Sequence, residues 1–179
     1  SHIPTLIFIF GIYRNVIRRQ RITTHRIRRR MKIPDIRTVP LFGKMIQFNT
    51  HNKQEDKPSH TAEHLLNQTM IRLMECERAI EAHIEAKKSK MDFALQTEPT
   101  PEQITQIENK MNEVIAQNLP ISMEYTTQTE ARNKYNLQRL PDDATEQIRI
   151  VHIGDYDACP CIGLHVQNTS EIGQFKIIS

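Results

Sequence analysis

Cysteine is scarce in this chain. Cys76, Cys159 and Cys161 are three, an odd number that supports no disulfide framework and points to a reducing, cytoplasmic setting. No apolar run approaches the roughly 18 to 20 residues that a membrane-crossing helix needs. Internal repeats and low-complexity segments are missing too, which sets repeat arrays aside. Acidic residues are absent from the first thirty positions, which hold eight arginines: Arg14, Arg18, Arg19, Arg21, Arg26, Arg28, Arg29 and Arg30. The order of that segment excludes a secretory leader, whose basic residues precede its apolar run. Here Leu6, Ile7, Phe8, Ile9 and Phe10 come first and the arginines follow.

The segment is read as a basic leader or added sequence without a structural role, the natural chain starting at Met31-Lys32-Ile33-Pro34. An Arg-rich, acid-poor mitochondrial presequence is one alternative. An arginine arm that orders only on RNA is another, since like charges this dense stay unfolded until paired. Taking those eight from the 24 basic residues leaves 16 against 21 acids, so the net charge of +3 conceals −5 after residue 30. The basic balance therefore says little about nucleic acid as a partner of the main part.

What is present is a globular composition. The 179 residues are 38% hydrophobic and 25% charged, enough for one soluble domain with a real core, assigned to residues 31–179. Val39 to Phe48 reads as one strand or a bent pair, punctuated by Pro40 and Gly43. Asn49 to Pro58 reads as loop. Ser59 stands where a helix N-cap belongs, and Ala62, Leu65, Leu66, Thr69, Met70 and Leu73 recur at helical spacing over about 60–75. From Arg78 the period becomes two: Ile80, Ala82, Ile84 and Ala86, then Met91, Phe93 and Leu95 after a Lys87-Lys88-Ser89-Lys90 turn, predict an antiparallel hairpin.

Thr100-Pro101-Glu102 opens a second helix, with Ile104, Ile107, Met111, Val114 and Ile115 as its stripe. Ile121 to Thr127, Gln147 to Ile153 and Gln174 to Ile178 read as strands, Glu130 to Tyr135 as a short helix, and Asn136 to Glu146 as loop. The expected class is α+β, a largely antiparallel sheet packed with two main helices.

Two short motifs carry chemistry. His60 and His64 lie on one face of the first helix, because four residues advance about one turn, so both imidazoles can reach one ion. Cys161 and His165 repeat that spacing about a hundred residues later, in a segment holding Pro160 and Gly163. Either pair alone is commonly a surface or buried side chain. Together they make a His₂ plus Cys-His set, the borderline-soft donors that zinc takes. Cys159 lies two residues from Cys161 and spacing does not decide between them. The matching interval to His165 favours Cys161, with Cys159 a spare ligand, a redox partner or a packed thiol. Cys76, His51, His83 and His152 have no partner pattern. His60-Thr61-Ala62-Glu63-His64 also matches the inverted zinc-protease pattern with glutamate as base, but that pattern needs a downstream acidic ligand and a longer chain. Glu63 reads rather as helping the helix start, or as pointing outward.

From Ser59-His60-Thr61-Ala62-Glu63-His64-Leu65-Leu66, through Lys90-Met91-Asp92-Phe93, Ile107 to Ile115 and Gln147 to Val151, to Cys161 through Gly173, the chain resembles one family. It is the editing domain shared by alanyl- and threonyl-tRNA synthetases and by free-standing alanyl-tRNA editing proteins, and the resemblance covers nearly everything after residue 58. It implies that His60, His64, Cys161 and His165 bind zinc at the mouth of a pocket for the 3′ end of an aminoacylated tRNA. It implies substrate contacts near Thr61, Gly163 and Leu164, and hydrolysis, in trans, of the ester holding serine or glycine on tRNA. Lys87, Lys88 and Lys90 are tRNA contacts on this reading, against the plainer one of a solvated turn. The alanyl branch has cysteine-glycine-glycine-threonine-histidine where this chain has Cys161-Ile162-Gly163-Leu164-His165, so Leu164 removes a hydroxyl. The competing expectation is a non-catalytic tRNA- or metal-binding module with the same fold.

Overall fold

Asp56 caps the first long helix. In the computed structural model, residues 56–86, 88–137 and 146–178 are described in full, and Thr5–Gly11, Thr38–Leu41 and Lys44–Gln47 by their backbone. The Asp56 carboxylate accepts from Ser59 N at 3.0 Å, and Pro58 sits in the first turn, where a missing N–H costs nothing, so α1 runs Lys57–Met74. The cap is thus three residues earlier than Ser59. Ser59 is buried within the first turn, and its hydroxyl hydrogen is shared between the Asp56 carboxylate and Glu85 O at 3.1 Å, the second contact linking α1 to the hairpin. The second long helix, α2 (Pro101–Ala116), opens with Thr100 and Gln103 in a reciprocal capping box.

The strands are β1 (Thr5–Gly11), β2 (Thr38–Leu41), β3 (Lys44–Gln47), β4 (Glu81–His83), β5 (Ser89–Asp92), β6 (Ile121–Thr127), β7 (Gln147–Ile153), β8 (Asp157–Pro160) and β9 (Gln174–Ile177), with the short helix α3 (Gln128–Arg132) between β6 and β7. They form three sheets, β4-β5-β1-β9, β2-β3 and β6-β7-β8, every pairing antiparallel. The α+β class holds, with the sheet divided. Lys90 lies within β5, opposite His83, rather than in the turn.

Thr5–Gly11 departs from the sequence reading of the first thirty residues as lacking a structural role. It pairs with β5 on one side and β9 on the other, a ladder that an apolar run can fill whatever its flanking charges. The arginines that follow lie outside the described residues. So does most of the expected 136–146 loop.

One core joins the layers. Ala62, Leu65, Leu66 and Met70 of α1 meet Ile107, Met111 and Val114 of α2, with Met91, Phe93, Ile153, Phe175 and Ile177 from the strands. Each fully buried large side chain contributes about 1.5–3 kcal/mol relative to exposure. A smaller cluster of Ala131, Ile148 and Ile150 lies on the other face of β7. Gly154 turns the chain between β7 and β8 at φ +48°, where a Cβ would also press on Leu119 at 3.3 Å.

The outer edge of β9 is closed by side chains of α2. Asn112 accepts from Phe175 N at 2.9 Å and donates to Phe175 O at 3.0 Å, and Glu108 accepts from Ile177 N at 2.7 Å. An amide that copies a neighbouring strand satisfies backbone groups that would otherwise be unpaired. Asn112→Ala is expected to cost about 2 kcal/mol, since two backbone groups lose their partners. Denaturant unfolding would show this, and a change below about 0.5 kcal/mol would mean water replaces the amide without loss.

Candidate metal centre

α1 is buried almost all round between Ser59 and Asn67, with an apolar stripe on α2 and a polar stripe facing β8. Further along, Thr69 Oγ1 bonds Tyr156 OH at 2.8 Å, while Arg72 donates to Tyr156 O at 2.8 Å and covers its ring at 4.2 Å. These contacts lock the helix against the β7–β8 turn. The two-residue period of β8 then puts Asp157 and Cys159 on one face and Ala158 and Pro160 on the other. Cys161 extends the ladder by one bond, Cys161 N to Arg149 O at 3.1 Å.

That register brings the two sequence motifs together. His60 and His64 stand one turn apart on α1 with ring centroids 5.2 Å apart, and His165 enters between them at 4.4 Å from His60 and 4.7 Å from His64. Cys161 Sγ lies 3.4 Å from His60 Nε2 and 3.4 Å from His165 Nε2. One donor atom from each of the four residues falls within 4.8 Å of all the others. Zinc at its usual bond lengths has donor–donor edges of about 3.4 to 3.6 Å, which the two edges from Cys161 to His60 and His165 match.

Local bonds orient the donors. Thr61 gives its single hydroxyl hydrogen to Lys57 O at 2.8 Å and accepts from Val166 N at 3.2 Å. Its contact with His165 Nδ1 at 3.1 Å is therefore an Nδ1–H donation, which turns the lone pair of Nε2 toward Cys161. Thr61 thus orients the His165 ring from beneath. Gly163 is buried, donates its N–H to Cys161 Sγ at 3.3 Å and gives its carbonyl to Arg149. Leu164 is half-buried between them.

Electrostatics favour a thiolate among imidazoles. Burial opposes ionisation of Cys161, but the charge of His64 and hydrogen bonds from His165, His60 and His64 hold the thiol well below its usual range. His165 is held down to about 4, chiefly by burial, and so stays neutral. Burial works against charge on His64 as well, yet the Cys159 and Cys161 thiols and Asp157 raise it well above its usual value.

Several neighbours stand close to the cluster, of which Asp157, Arg78 and Arg149 had no role in the sequence reading. Cys159 sits behind His64, its Sγ 3.1 Å from His64 Nδ1, and is not one of the four. Asp157 shares that position and pairs with Arg78. Buried Arg149 donates through Nε to Cys161 O at 2.6 Å and through Nη2 to Gly163 O. Their sequence signal was the alternation Asp157, Cys159, Cys161 after a strong strand. Glu63 neither starts the helix nor points outward: it is buried, with Oε2 3.8 Å from His60 Nε2 and Oε1 accepting from Asn67 at 3.4 Å. Cys76 is half-buried at the rim of the main core, and His152 pairs with Glu124 at 3.1 Å.

The lysines lie elsewhere. Lys88 and Lys90 are exposed beside a shallow groove lined also by Glu81, His83, Glu85 and Asp92, and Lys90 is paired with Asp92 at 3.1 Å. With three acids among the described neighbours, the turn is mixed in charge rather than basic. Lys87 falls outside the described residues.

Residues 148–179, which hold β7, β8, Cys161, His165 and β9, match the threonyl and alanyl tRNA synthetase second additional domain. Alanine–tRNA ligase from Coxiella burnetii is 33% identical over 123 residues, 68% of this chain and 14% of that protein. The chain belongs to this domain family. Alanine–tRNA ligases of Thermoanaerobacter sp. (31% over 134 residues, 74% of the chain and 15% of the relative) and Caldicellulosiruptor saccharolyticus (36% over 124 residues, 68% and 14%) align similarly. An aligned stretch covering 68% of 179 residues cannot avoid α1, so the similarity to these ligases takes in the helix of His60 and His64, while the family match holds Cys161 and His165. The chain spans about a seventh of the length of these curated relatives. No helix of the described residues is long and apolar enough to cross a membrane.

Proposed function

We propose that this second additional domain is a zinc-dependent hydrolase that removes a wrongly attached amino acid, serine or glycine, from tRNA of the alanyl or threonyl system, acting in trans. The observation that carries the reading is the convergence of His60, His64, Cys161 and His165 on one point, with His165 oriented by Thr61. Those four residues would hold the zinc, and a bound zinc supplies Lewis-acid polarisation and an anchor for the substrate's polar groups. The aminoacyl ester is already activated, so the protein's part is to place one water against the ester carbonyl and to stabilise the negative charge that develops on its oxygen. Thr61 and Gly163 fix the donors, and half-buried Leu164 presents an apolar surface at the position where the alanyl branch carries a threonine hydroxyl.

That substitution supports a second reading, a non-catalytic tRNA- or metal-binding module. A panel of mischarged tRNAs, assayed with metal content measured on the same sample, separates the two. The expected result is hydrolysis of serine- or glycine-charged tRNA by protein holding one zinc per chain. Tight tRNA binding without turnover anywhere on the panel would decide for the module.

A further inference from the structure

We propose that Asp157, held by Arg78, is a positioning residue for His64: it fixes the ring with Nδ1–H pointing away from the cluster and Nε2 toward it. This rests on the zinc reading above.

The geometry is a chain of buried and half-buried partners behind the cluster. Asp157 is 5% exposed at the head of β8, and its Oδ2, a buried oxygen without a hydrogen-bond partner among the described residues, lies 3.7 Å from His64 Nδ1, an electrostatic contact longer than a hydrogen bond. Its other oxygen receives the Arg78 guanidinium. Gln68, one turn along α1 from His64, donates to that oxygen at 3.2 Å once its amide is turned, and accepts from Arg72 Nε at 3.2 Å. Cys159 Sγ shares the same ring nitrogen at 3.1 Å.

Three physical points make this a support for His64. An arginine–carboxylate pair withdrawn from water is a poor stabiliser, and apolar side chains of similar volume commonly serve as well. A carboxylate against one imidazole nitrogen selects the tautomer with hydrogen there, which frees the opposite nitrogen to ligate. His64, Asp157 and Cys159 could themselves be taken for a second cation site. The Arg78 guanidinium already neutralises that carboxylate, and its positive charge opposes an ion beside it. Cys159 therefore shares with Asp157 the role of outer partner.

The test uses the full chain with Asp157→Asn, and with Arg78→Met combined with Asp157→Leu, which replaces both buried charges and keeps the protein folded if the single variant does not. Zinc affinity is read by chelator competition on folded protein, and the cobalt form by its visible spectrum. Both variants are expected to bind zinc about 10- to 100-fold more weakly, with the thiolate-to-cobalt band retained and the tetrahedral ligand-field bands weakened as His64 is misaligned. A merely structural role would lower the melting temperature and leave affinity and spectrum unchanged, and that result in a folded variant overturns the proposal. Wild-type protein that binds no stoichiometric zinc would instead refute the underlying reading of the cluster, and this inference with it.

Discussion

Protein carrying His64→Ala is expected to purify without zinc and to leave serine- and glycine-charged tRNA intact, and His60→Ala to do the same. Loss of a donor removes a metal bond itself, so the drop in affinity should exceed the ~10- to 100-fold typical of losing an outer partner. Three remaining donors make a site open on one side, and His64 lies at its most supported corner, backed by Cys159 and Asp157. The effect should be separable from stability. His64 is only 5% exposed, but the core around it is carried by Leu65, Leu66 and Met70, which stay in place. Circular dichroism should therefore show a folded protein while metal analysis and deacylation both read near zero. Robust hydrolysis by metal-free His64→Ala protein would sink the zinc-dependent mechanism and leave the family assignment standing.

The helices were legible because each carries its own signal. The stripe from Ala62 to Met70 and the Thr100-Pro101 start of α2 depend on neighbours three or four residues away. The four-residue spacing of His60 to His64 and of Cys161 to His165 was legible for the same reason. The same interval favoured Cys161 over Cys159, but it could not say where Cys159 would lie. Both thiols lie on one face of an extended segment, and only the lateral placement of β8 against α1 puts Cys161 between His60 and His165 and Cys159 behind His64. Thr5–Gly11 was missed for a similar reason. Its apolar run says strand or leader alike, and its partners β5 and β9 lie far along the chain. Asp157 and Arg78 are separated by 79 residues, beyond any local pattern.

Arg149 is the other residue whose removal should be felt everywhere. In sequence it is one polar position within the strong strand Gln147–Ile153, where a solvent-facing side chain would be the ordinary expectation. It is 2% exposed, and it holds the start of the Cys161–His165 segment from both sides. Its carbonyl accepts from Cys161 N, and its guanidinium reaches Cys161 O and Gly163 O with two donors of the same fork. A fixed planar fork reaches two carbonyls at once, which a lysine ammonium does poorly. Arg149→Met keeps most of the volume and strands both carbonyls in a buried place. At about 1–3 kcal/mol for each unpaired group, and with incomplete additivity, the loss should come to roughly 2–5 kcal/mol of stability. Because the freed segment carries Cys161 and His165, zinc affinity should fall more than about tenfold even where the protein remains folded. Arg149→Lys should fall between the two, restoring one bond at a time. Urea unfolding and chelator competition on the same preparations test both halves. If the methionine variant matches the wild type in stability and zinc affinity, the carbonyls find other partners and the fork is dispensable. If stability falls alone, Arg149 supports the fold without setting the geometry of Cys161.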